Sequence, residues 1–97
     1  MTQNGAFFGP SRLYDPVAQL RRDDETLYVA RVGMKASQRF MILTPAGEPA
    51  WPHEPLASLS DVVWALRAHE WHLVPLEPVG ENASPVRTLA RLMVERA

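Results

Sequence analysis

The chain contains no cysteine. That absence excludes disulfide staples, thiolate metal sites, iron–sulfur clusters and cysteine nucleophiles together. No stretch reaches the ~18 consecutive apolar residues of a membrane helix. The first ten residues, Met1 to Pro10, lack both the cationic leader and the apolar core of a secretory signal. Charge of one sign is also missing: ten basic residues stand against eleven acidic ones, for a net charge of -1. A histone-like or polybasic membrane-binding role is therefore not the default expectation. Lysine is nearly absent, with Lys35 the one example against nine arginines, a bias to which no function attaches. These absences point to a soluble, cytoplasmic protein of bacterial type with no membrane partner.

What is present suits one small folded body. Ninety-seven residues of which 46% are apolar suffice for a single core. No internal repeat, low-complexity tract or interdomain linker interrupts the chain. The expected organisation is an N-terminal arm over residues 1–12, carrying Phe7 and Phe8, followed by a single domain over 13–97.

Asp15-Pro16 has the chemistry of a helix entrance, since Asp caps free amides and Pro is pre-shaped for the first helical position. A short helix there and an extended arm are equal alternatives. Thr26 to Val32 is rich in β-formers, with Leu27, Val29 and Arg31 facing one way and Tyr28, Ala30 and Val32 the other. Gly33 to Gln38 breaks the run. Arg39 to Leu43 reads as a second strand, apolar on both faces and hence expected in the middle of its sheet. The two make an antiparallel hairpin. Pro45-Ala46-Gly47-Glu48 is a turn, and prolines 45, 49, 52 and 55 make the next stretch a stiff connector in which Trp51 must rest on something apolar.

Ser58 to Glu70 is the clearest helix. Ser58 and Asp61 fit the S-x-x-D capping pattern, and Leu59, Val62, Val63 and Leu66 form one apolar stripe. Trp64 and Ala68 lie off that stripe. Trp71 to Leu76 reads as a third strand, ended or edged by Pro75. Ser84-Pro85 repeats the cap-then-proline entrance, and Val86, Leu89, Ala90, Met93 and Ala97 form the apolar face of a last helix that runs to the end. Leu92 and Val94 fall outside that face. The resulting class is α+β: a small, mainly antiparallel three-stranded sheet in the order β-β-α-β-α, with two helices on one face.

Chemistry-bearing patterns are weak. His69-Glu70-Trp71-His72 fails the i, i+4 spacing of a helical zinc motif, and His53 lies in the proline-rich connector. A three-histidine metal site with Glu54 or Glu70 as base is the least favoured alternative. No serine among Ser11, Ser37, Ser58, Ser60 and Ser84 sits in a nucleophile elbow. Asp23, Asp24 and Glu25 beside Arg21-Arg22 read as a solvated turn cluster rather than a carboxylate pair with Glu48 or Glu54. Gly33 to Ser37 lacks phosphate-loop spacing. No catalytic, cofactor or metal residues are assigned, and no small-molecule substrate is expected.

Two surface roles remain. The favoured one is a non-enzymatic interaction or regulatory module, homodimeric or bound to a protein partner, acting through an aromatic and apolar surface of Phe7, Phe8, Trp51, Trp64 and Leu92. The alternative is a nucleic-acid-binding regulator using Arg31, Lys35, Arg39, Arg87 and Arg91.

Overall fold

The computed structural model describes residues 14–33 and 38–96. The expected arm over residues 1–12, with Phe7 and Phe8, therefore lies outside the described residues, as does Lys35.

Four strands and two helices follow one another: β1 (Tyr14–Arg22), β2 (Glu25–Val32), β3 (Arg39–Leu43), α1 (Leu59–Ala68), β4 (Leu76–Pro78) and α2 (Ala83–Arg96). The sheet order is β3-β2-β1-β4, and every neighbouring pair is antiparallel. The α+β class with both helices on one face holds, but the sheet has four strands rather than three.

The additional strand is β1, where the sequence offered a short helix or an arm. Tertiary pairing overrides the capping signal of Asp15-Pro16, because β1 finds β2 on one side and β4 on the other. Pro16, which has no N–H to give a ladder, sits beside a register shift between Pro16 and Ala18. The shift explains why the adjacent Val17 and Ala18 are both fully buried, against the usual alternation of a strand. Asp23-Asp24 join β1 to β2 in a two-residue turn, with Asp23 at φ 53. Asp is one of the few residues that tolerate this left-handed conformation.

The expected third strand over Trp71–Leu76 is corrected: only Leu76–Pro78 is strand. The cause lies at the end of α1. Ser58 opens that helix, its hydroxyl accepting from the Asp61 amide at 3.3 Å. At the other end His69 is the C-cap and Glu70 adopts φ 65. The Glu70 amide bonds Arg67 O at 3.0 Å, and the Trp71 amide reaches back to Leu66 O at 2.9 Å. These are the paired bonds of a Schellman termination, with the apolar contact between Trp71 and Leu66 that accompanies it. Trp71 is folded under the helix rather than launched into a strand.

β3 is also corrected: it lies at the sheet edge, not in its middle. Its two apolar faces belong to different clusters, Phe40 and Ile42 to the main core and Met41 and Leu43 to a smaller one, while the proline-rich connector bonds along its lateral border. Phe40 and Leu56 exchange backbone bonds of 2.9 and 2.7 Å, and Leu43 bridges Pro49. α2 begins at Ala83, so Ser84 stands within its first turn instead of ahead of it.

The main core lies between the helices and one sheet face. Val17, Leu20, Leu27, Val29 and Ile42 from the strands meet Val62, Val63 and Leu66 of α1 and Leu89 and Met93 of α2. A second, smaller cluster of Ala30, Met41 and Leu43 lies on the opposite sheet face, with Tyr14, Tyr28 and Val32 packed against it.

Candidate functional site

The Schellman turn sets the geometry of the next five residues. It sends 72–76 out of the end of α1 and alongside α2, which contacts β4. Between this segment and the Ala90, Met93 and Val94 side of α2 lies a groove of about 360 Å³. Its walls are mainly apolar. Leu73 is 82% exposed and Val94 is 75% exposed, and both line the groove. His72 is the titratable side chain in the lining, and its Nδ1 is buried without a hydrogen-bond partner among the described residues. Exposed apolar side chains grouped on one concavity form a surface suited to contact with another apolar surface.

The interaction residues expected from sequence are placed differently. Trp51 is half-buried against the main core, its ring stacked on His69 at 3.8 Å between centroids and 10° between planes. Leu92 is likewise half-buried against the core. Trp64 stands outward on α1, 55% exposed. Of these three, Trp64 is the exposed one, while Phe7 and Phe8 lie outside the described residues. Sequence reasoning noted Val94 as off the α2 stripe but gave it no role, and passed over Leu73. The available signal was an apolar side chain at position 94 that the stripe of Val86, Leu89 and Met93 leaves pointing away from the core.

The basic residues are dispersed. The register pairs Arg31 with Phe40 and Val32 with Arg39, so Arg31 and Arg39 emerge on opposite faces of the sheet. Arg31 is also held in place, donating to Asp15 at 2.7 Å and to Asn82 Oδ1 at 3.2 Å. Asn82 in turn donates to Pro16 O and Val79 O, both at 2.8 Å, tying β1 to the start of α2. Arg87 and Arg91 are exposed one turn apart on α2.

The histidines do not converge either. His53 is exposed at φ 77, His69 is stacked on Trp51, and His72 lines the groove. Among the described residues no three His, Asp or Glu side chains form a group able to hold a metal ion. Arg22 closes the same corner of the fold. Its guanidinium lies 4.1 Å from the Trp71 ring centroid, donates to Glu70 O at 2.8 Å, and pairs with Glu25 at 2.9 Å. A cation over an aromatic face that also satisfies terminal helix carbonyls is a structural clamp.

Compared with protein-family models, with curated proteins and with solved structures, the chain matches none.

Proposed function

We propose that this protein is a non-enzymatic interaction module that pairs with a second copy of itself through the groove between residues 72–76 and α2. The observation that carries this reading is the position of Leu73 and Val94. They are the most exposed large aliphatic side chains among the described residues, and both belong to the same concavity. A patch holding both projections and a hollow is self-complementary under a two-fold axis: Leu73 of each copy fits over Pro75 and Met93 of the other.

Magnitudes set the expected strength. Burying a Leu or Val side chain contributes about 1.5–3 kcal/mol, so the four side chains of a symmetric pair supply about 6–12 kcal/mol. Association itself costs an estimated ~4–15 kcal/mol. The pair is accordingly weak, forming at micromolar to millimolar concentration and responsive to small changes in supply of the chain.

Sedimentation across a concentration series tests the reading. The wild-type protein is expected to pass from monomer to dimer. Leu73→Lys and Val94→Lys are each expected to remain monomeric, and Arg87→Ala is expected to behave as wild type. A wild-type chain that stays monomeric at about 1 mM, where even a −4 kcal/mol association would register, overturns it.

A further inference from the structure

Of the side chains that line the groove between residues 72–76 and α2, only that of His72 titrates. His72 is half-buried, and its Nδ1 is shut from water with no hydrogen-bond partner among the described residues. A neutral imidazole can leave that nitrogen as a lone pair and carry its proton on Nε2. A charged imidazole has an N–H on both nitrogens. In the single chain the groove is open, and its water eases the charge on the ring. A second copy seated there, with Leu73 over Pro75 and Met93, replaces that water by hydrocarbon. The charged ring would then hold one N–H in a closed interior and the other in an apolar contact, and an unpaired charge is costly to bury.

The charged groups on the surrounding elements offer no compensation. On α2, Ala90, Met93 and Val94 face the groove. Arg87 and Arg91 stand beyond them on the exposed side, with Glu95 one turn from Arg91. On β4, Leu76 lines the groove, so Glu77 beside it points to the opposite sheet face. At the end of α1, Glu70 is exposed, and the Arg22 guanidinium bonds its carbonyl and covers the Trp71 ring. Among the described residues no carboxylate lines the groove to pair with an imidazolium.

We propose that His72 makes the self-association acid-sensitive: the pair forms while both imidazoles are neutral and comes apart as they take up protons. This rests on the pairing reading above and adds the condition under which pairing occurs. The sign follows from linkage. The free chain accepts a proton at His72 that the pair excludes, so protons and the second copy oppose one another and association weakens as pH falls.

Sedimentation over a concentration series at about pH 7.5 and about pH 5.5 spans the range in which histidine changes charge. Each pair holds two imidazoles, so the wild-type association constant is expected to fall roughly tenfold or more between these conditions. His72→Leu is expected to pair equally at both. His53→Gln/His69→Gln, which removes the two histidines outside the groove, is expected to keep the wild-type dependence. A wild-type pair equally strong or stronger in acid overturns the inference and leaves the pairing reading standing. A wild-type chain monomeric at both pH values overturns the pairing reading and this inference with it. Acid dissociation that persists in His72→Leu places the sensitivity elsewhere and also overturns the inference. Should His72→Leu fail to fold, proton NMR decides. In His53→Gln/His69→Gln the remaining imidazole signal belongs to His72. It is expected to titrate at lower pH in a concentrated sample than in a dilute one, and an unchanged or higher midpoint overturns the inference.

Discussion

Glu70 occupies a backbone conformation that suits glycine, and the fold depends on it. Its φ of 65 allows the Trp71 amide to turn back to Leu66 O, which places Trp71 in the core with 3% exposure. A side-chain-bearing residue in this region is strained by about 1–2 kcal/mol, and glycine is free of that penalty. Glu70→Gly is expected to raise stability by about 0.5–1 kcal/mol after the larger entropy of the unfolded glycine chain is subtracted, visible as a higher urea midpoint. Single residues also explain where the sequence misled. Asp15-Pro16 has cap chemistry whether or not a helix follows, because the same two residues fit a strand beside a bulge. Trp71, Leu73 and Val74 have strand-forming side chains, but one left-handed residue ahead of them decides their path. Such a conformation is visible in sequence when glycine adopts it and hidden when glutamate does.

Elements with their own periodicity were legible. The alternation in β2 correctly separated Leu27 and Val29 from Tyr28, Ala30 and Val32, and those two sets line opposite faces of the sheet. The stripe of α1 was legible for the same reason, with Val62, Val63 and Leu66 all buried. Its Ser58 cap is expected to matter: Ser58→Ala should lower stability by about 1 kcal/mol, measured by thermal unfolding, because the Asp61 amide loses its acceptor. The candidate groove was not legible, because Leu73 and Val94 are 21 positions apart and meet only through the packing of α2 beside the segment that follows α1. Periodicity within an element says which side chains leave the core; it does not say which of them become neighbours. The position of β3 was missed for a related reason. Apolar residues on both faces signal burial of both faces, and they do not tell a strand with two strand neighbours from an edge strand whose lateral border is taken by a folded-back connector.

At the scale of the whole molecule, stability rests on a small core with few redundant parts. Leu89 is fully buried where α2 meets the sheet and α1. Leu89→Ala is expected to lose about 2–5 kcal/mol, set against the roughly 5–15 kcal/mol that ordinarily separates native from unfolded chains. Its urea midpoint should fall by a large fraction of the wild-type value. The two lateral borders of the sheet have a further consequence. One is closed by Leu56 and Pro49 bonding to β3. The other ends in three residues of β4, closing with Pro78, while the Val79 amide and the Asn82 side chain take up Val17 O and Pro16 O. Among the described residues neither border offers a long uninterrupted row of free peptide groups, which disfavours strand addition by a neighbouring molecule. Growth of this chain into a cross-β fibril therefore requires the native sheet to open first.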